Sequence, residues 1–226
     1  MTNEISAFSE RDINDKIYLE DYAISEVVET KSGLNIQIAM VCDGAGGGKE
    51  GELAARLTAR SVLDSLSISE DTDIPRMLTR AVEAANRIVH SEVGGAASST
   101  VALVAIHLND DTAPDGRMYI ASVGNSYVKL VRNDKIVRLN TDHTLINEYV
   151  IAASKEVEEV AQKPDANHLV RAIGVGKDVA VDIGFYSEYG RDVVYAPRAF
   201  ELGKIGLVLE PTDTIIVATD GLFEIN

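Results

Sequence analysis

Two apolar, strand-like runs in this 226-residue chain end in the pair Asp-Gly. Asn35 to Cys42 leads into Asp43-Gly44, and Thr214 to Thr219 leads into Asp220-Gly221. A carboxylate at the end of a buried strand, followed by residues without bulk, can approach a divalent cation while bare backbone offers carbonyl oxygens. Hard ions such as Mg²⁺ and Mn²⁺ take such oxygen donors. Unpaired buried carboxylates are costly, so strand-end acids are met by a partner, a cap or a metal. With the adjacent pair Glu20-Asp21, these residues supply enough oxygens for a two-metal cluster. A plainer role is open to each: Asp43 can cap the following helix, and any Asp-Gly pair can simply make a turn.

The segment Asp43-Gly44-Ala45-Gly46-Gly47-Gly48-Lys49-Glu50-Gly51 invites other chemistries. A phosphate-binding P-loop needs Gly at the position of Asp43 and Ser or Thr at that of Glu50, so both departures put negative charge where phosphate would sit. Gly46 to Gly51 satisfies the spacing of a dinucleotide loop. That fold requires a second parallel strand ending in an acid, and Ser67-Ile68-Ser69-Glu70-Asp71 is polar and turn-like instead. A cysteine phosphatase needs Cys-x5-Arg. Counting from Cys42 reaches Gly48, and no arginine lies in the loop, so Cys42 reads as a small buried apolar residue.

The elements that position these residues are legible from periodicity. Asn35 to Cys42 is alternating, then continuously apolar, as a strand becoming fully buried would be. From Glu50 the spacing of Leu53, Ala54, Leu57, Val62 and Leu66 is helical, and a second helix starts at Pro75 and runs through Met77, Leu78, Val82 and Ile88. Short β-branched runs follow at Thr100 to Leu108, Met118 to Val123, Tyr127 to Val131 and Ile136 to Leu139. Asp115-Gly116 and Asn133-Asp134 are the hairpin signals. Helical texture returns at Thr144 to Ala153 and around His168 to Ile173, and Val179 to Phe185 and Thr214 to Thr219 read as late strands. Strands, two consecutive helices, a meander and more strands predict an α+β layered fold of antiparallel sheets covered by helices.

Composition bounds the rest. Apolar residues make up 46% and charged residues 25%, as in a globular protein. The apolar runs are too short to cross a bilayer, so no membrane is expected. The start is polar and acidic without a secretory leader, and a single cysteine suits a reducing compartment, which together point to the cytoplasm. A net charge of −15 argues against nucleic acid as a partner. Length fits one domain spanning residues 1–226 with a small flap at 154–165.

Several motifs then align in order. Val41-Cys42-Asp43-Gly44-Ala45-Gly46-Gly47 and Gly51-Glu52-Leu53-Ala54-Ala55 are followed by Ser99-Thr100-Val101-Ala102 and by Ala121-Ser122-Val123-Gly124-Asn125-Ser126. Thr141-Asp142-His143-Thr144, then Asn167 to Gly174, then Ala218-Thr219-Asp220-Gly221-Leu222-Phe223-Glu224 complete the series. The sequence thereby resembles the bacterial type 2C metal-dependent serine/threonine protein phosphatases along nearly its whole length. That resemblance implies a four-layer α/β/β/α sandwich with two antiparallel sheets and a cleft at one sheet edge. It implies two Mg²⁺ or Mn²⁺ ions bridged by Asp43, with the Gly44 carbonyl contributing, Glu20 on the second ion, Asp21 helping through bound water and Asp220 on the first ion. Lys16 occupies the place of a phosphate-gripping arginine. Hydrolysis of phosphoserine and phosphothreonine by a metal-activated water, without a covalent phosphoenzyme, is the implied reaction. Phosphorylated proteins are the implied substrates, a cognate serine/threonine kinase pathway the implied context, and a monomer the implied state.

The chain also departs from the family pattern. Lys16 cannot form the bidentate fork of arginine, Ala45 stands where some relatives carry a general-acid histidine, and Asn125 replaces an aspartate associated with a third metal. The family's closing Asp-Asn segment is not found before Asn226, which predicts a weakened first metal site and low turnover. These departures leave a pseudophosphatase, a phosphoprotein-binding or regulatory module without turnover, as the alternative. His143 is expected to be structural, and His90, His107 and His168 are given no chemistry. The acids of the flap (Glu156, Glu158 and Glu159) read as a solvated helix face.

Overall fold

A computed structural model describes residues 18–108, 110–187 and 196–222. Strands β1 (Asp21–Glu29) and β2 (Asn35–Ala45) pair antiparallel, in a register that sets Asp21 opposite Asp43 and Ile24 opposite Met40. On β2, Ile36, Ile38, Met40 and Cys42 face one core while Val41 enters another. Burial on both faces explains why the apolar alternation becomes continuous toward the strand's end.

Helices α1 (Lys49–Ser67) and α2 (Ile74–Val93) follow and cover one face of this sheet. Their buried stripes, Ala54, Ala55, Ala59, Val62 and Leu66 on α1 and Met77, Leu78, Ala81, Val82, Ala85 and Val89 on α2, meet Ile38, Met40, Leu103 and Ala105 beneath. Asp73 caps α2 by accepting the Arg76 N–H at 3.1 Å, Pro75 lies in its first turn, and Gly94 closes it in the left-handed conformation.

Strands β3 (Ser98–Ser99), β4 (Val101–His107) and β5 (Arg117–Val123) extend the sheet. With β8 (Leu207–Val208) its order is β1-β2-β4-β5-β8, β3 pairing the end of β2. A second sheet, β7-β6-β9, is built from β6 (Tyr127–Arg132), β7 (Lys135–Arg138) and β9 (Thr214–Ala218). Asn133 and Asp134, with φ of 52° and 59°, make the tight β6–β7 turn that their types announce. The sheets meet through Val41, Ala102, Val104, Met118 and Ile120 on one side and Val128, Leu130 and Leu139 on the other. The fold is thus α+β, with two antiparallel sheets and helices. Among the described residues no helix is long and apolar enough to cross a membrane.

Three expectations need correction. Residues 168–173 are not helical. Ile173 exchanges backbone hydrogen bonds with Ser99 at 3.0 and 2.8 Å, and Val170 donates to the His143 carbonyl, so the segment's amides are taken by neighbours rather than by a helix ladder. The run Val179 to Phe185 pairs with β5 only at the Asp182–Ser122 bridge. Helix α5 (Ala196–Ile205) was not expected: Gly203 interrupts its pattern, and a Cβ there would lie 1.9 Å from the Ile183 carbonyl oxygen. Helix α3 (Leu145–Ile151) lies within the helical stretch expected at Thr144 to Ala153, and Thr144 caps it. Residues 154–165, the segment expected as a flap, carry α4 (Val157–Ala161), with Val160 buried and Glu156, Glu158 and Glu159 exposed. Lys16, Phe223 and Glu224 lie outside the described residues.

Candidate metal centre

The β2–α1 turn works by thinness. Gly44 and Gly51 face each other, and a Cβ on Gly44 would lie 2.0 Å from the Gly51 carbonyl oxygen. A Cβ on Gly51 would lie 2.7 Å from Glu20 Oε1 and 3.1 Å from the Gly44 carbonyl oxygen. The missing side chain therefore leaves a notch in which a carboxylate oxygen and a peptide oxygen lie around 3 Å from one point. Glu20 is held there twice: its backbone carbonyl accepts the Gly44 N–H at 3.1 Å, and its Oε1 accepts the Gly48 N–H at 2.9 Å. The positive φ of Gly48, 71°, turns the chain so that this amide points back at Glu20. Asp21 faces Asp43 across the strand pair, and like charges in facing positions repel.

A second lip belongs to the other sheet. Asp43 donates its N–H to Thr100 Oγ1 at 3.1 Å, and the Thr100 N–H returns a bond to the Asp43 carbonyl at 2.7 Å. Thr100 Oγ1 is 2.7 Å from Ser126 Oγ. Next to Ser126, Asn125 Nδ2 donates to Asp220 Oδ2 at 2.7 Å, where a 3₁₀ turn (Asp220–Leu222) follows β9. A short path thus runs from Asp43 through Thr100, Ser126 and Asn125 to Asp220.

Glu20, Asp21, Asp43 and Gly44 come together at the end of the β1–β2 pair, and Asp220 sits at the end of β9 in the grip of Asn125. Among the described residues no group of three or more Asp, Glu, His or Cys side chains closes to metal-binding geometry. The donor chemistry nevertheless fits a hard divalent cation. Every candidate donor is an oxygen, and the Gly51 notch is a place that one methyl group would fill.

Cys42 is fully buried, and burial, with the charge of Asp43 added, pushes its thiol far above the ordinary range. It is no nucleophile at neutral pH. His143 is also buried, its Nδ1 accepting the Gly124 N–H at 2.9 Å, as a structural histidine would. Its companion Asp182 escaped notice in the sequence. The available signal was a lone acid inside the apolar run Val179 to Phe185, since a buried carboxylate must be partnered.

No protein-family model matches the chain. A Streptococcus pyogenes protein named as a 2C-type protein phosphatase is 25% identical over 201 residues, covering 86% of this chain and 70% of its own length. Among solved structures, the serine/threonine phosphatase of S. agalactiae superposes with a TM-score of 0.67 at 24% identity, over 97% of this chain and 80% of that one. The catalytic domain of the serine/threonine protein phosphatase PstP, in complex with two manganese ions, superposes with a TM-score of 0.61 at 19% identity, over 96% and 77%.

Proposed function

Because the chain is a relative of the bacterial type 2C protein phosphatases, we propose that it hydrolyses phosphoserine and phosphothreonine in proteins, using divalent cations held by Glu20, Asp21, Asp43, Gly44 and Asp220. The observation that carries this reading is the notch at Gly51, where Glu20 Oε1 and the Gly44 carbonyl oxygen converge beside the facing pair Asp21 and Asp43. Mg²⁺ or Mn²⁺ bound there would supply a water of lowered pKa and a positive field for a phosphoryl group.

The chain's own residues orient that chemistry. Gly48 N–H holds the Glu20 carboxylate, Thr100 fixes the backbone of Asp43 from both sides, and Asn125 aims Asp220. A lip made of carboxylates repels a phosphate dianion in the absence of counter-ions, so substrate binding and cation binding are coupled here. Lys16 completes the proposal as a point-charge contact to the phosphate, looser than an arginine fork. Phosphorylated proteins are the substrate class, which places a serine/threonine kinase upstream.

The test is phosphate release from a phosphothreonine peptide with and without Mn²⁺, beside calorimetric Mn²⁺ titration. Asp43→Asn is expected to lower the Mn²⁺-dependent rate by about 100-fold or more, the upper end of what even supporting residues of metal sites cost. A chain that binds Mn²⁺ and phosphopeptide yet releases no phosphate would replace this reading with a binding module.

A further inference from the structure

We infer that His143, held by Asp182, is a positioning residue of the proposed reaction, setting the turn Gly124-Asn125-Ser126 and through it the Asp220 carboxylate. The inference rests on the phosphatase reading above and assigns a part to a buried pair that touches neither substrate nor ion.

Three consecutive residues of this turn each hold a different partner. Gly124 is bound to His143, Asn125 to Asp220, and Ser126 to Thr100, which in turn holds Asp43. Gly124 is clamped in both directions: its N–H donates to His143 Nδ1 at 2.9 Å, and its carbonyl accepts the His143 N–H at 3.0 Å. It adopts a φ of 103°, and a Cβ there would strike the Thr100 side chain at 2.6 Å, so the turn has little room to relax toward β4.

The clamp dictates a tautomer. An imidazole nitrogen that accepts an amide N–H carries no proton, so the ring proton of neutral His143 is on Nε2. That nitrogen lies 3.3 Å from Asp182 Oδ2. Asp182 accepts two further donors, the Tyr186 hydroxyl on Oδ2 at 2.7 Å and the Gly184 N–H on Oδ1 at 2.7 Å. A carboxylate facing three donors acts as acceptor only, which favours Nε2–H and leaves Nδ1 bare for Gly124. His143 and Asp182 side chains are 0% and 2% exposed, so water does not substitute for either partner. Burial and the adjacent Asp182 charge push the Tyr186 hydroxyl well above its ordinary range, keeping it a donor across the working pH.

The experiment compares His143→Asn with His143→Ala. The asparagine carbonyl can stand where Nδ1 stood and accept the Gly124 N–H, whereas alanine cannot; both lose the Asp182 contact, so both give up fold stability. His143→Ala is expected to lose about 10- to 100-fold in Mn²⁺ affinity and, at saturating Mn²⁺, in kcat, with KM for a phosphopeptide under that saturation near the parent value. His143→Asn is expected to recover most of that loss while melting close to the alanine variant. In the parent, ¹⁵N NMR of the imidazole is expected to report Nε2 protonated and Nδ1 bare. Equal impairment of the two variants, or a proton on Nδ1, overturns the inference. A parent that neither binds Mn²⁺ nor releases phosphate overturns the phosphatase reading first, which separates the two failures.

Discussion

A single hydrogen atom separates Gly51 from a residue that would block the notch. The extra methyl of Gly51→Ala would lie 2.7 Å from Glu20 Oε1, the mobile end of a side chain, and 3.1 Å from the Gly44 carbonyl. Glu20 is the group that gives way, since the backbone is the stiffer neighbour. Alanine is also the better helix former by up to about 1 kcal/mol, which offsets part of the strain. Gly51→Ala is therefore expected to melt near the parent temperature and to lose about tenfold or more in Mn²⁺ affinity by calorimetry. Gly44→Ala meets backbone at 2.0 Å and is expected to lose the fold itself. The glycine cluster was visible in the sequence as a run. Which two glycines face each other was not, because that pairing depends on how β2 turns into α1.

At the scale of elements, the α1–α2 connection is tied by Asp71. Its carboxylate accepts from Arg76 Nε at 2.6 Å, Arg76 Nη2 at 2.5 Å and Arg80 Nη1 at 3.3 Å, and it also takes the Asp73 N–H at 3.1 Å. The hydrogen bonds from Arg76, then that from the Asp73 amide, hold the Asp71 carboxyl far below its ordinary value. A carboxyl whose pKa falls on folding adds stability that is complete above its unfolded value of about 3.9 and is lost as pH drops below it. Asp71→Asn is accordingly expected to lower the urea midpoint at pH 7, with the gap to the parent narrowing below about pH 4. A gap of constant width down to pH 2 would show that the carboxylate's charge contributes nothing to the clasp. Helix α2 was legible in the sequence because its signals, Asp73, Pro75 and an apolar stripe, are local. Residues 168–173 carried a helical pattern as well, yet their amides pair with Ser99 and His143, partners about 25 to 75 positions away in the chain.

For the molecule as a whole, the junction of the two sheets gathers negative charge in a chain already at −15. Asn125 relieves that charge at one point by donating to Asp220. Asn125→Asp replaces the donor with a second carboxylate at hydrogen-bonding distance, an arrangement favoured only when a cation lies between them or one group is protonated. In EDTA the variant is expected to melt below the parent; with Mn²⁺ the difference should shrink or reverse, because a ligand bound 100-fold above its Kd adds about 2.7 kcal/mol. Identical melting of both proteins in both conditions would show that Asn125 and Asp220 do not share a cation site.

Local chemistry wrote the strands, the first two helices, the Asn133-Asp134 turn and the acids at the strand ends into the sequence, since periodicity and turn types act within a few residues. The antiparallel α+β class followed from the order of those elements. Tertiary structure alone decided that Asp21 faces Asp43, that Gly51 opens a notch for Glu20, that Asn125 takes Asp220, and that Asp182 lies against His143. Each is a contact between distant segments. Such a contact is chosen by which buried polar group is left to be satisfied once the sheets have packed, and no pattern within a single segment encodes that choice.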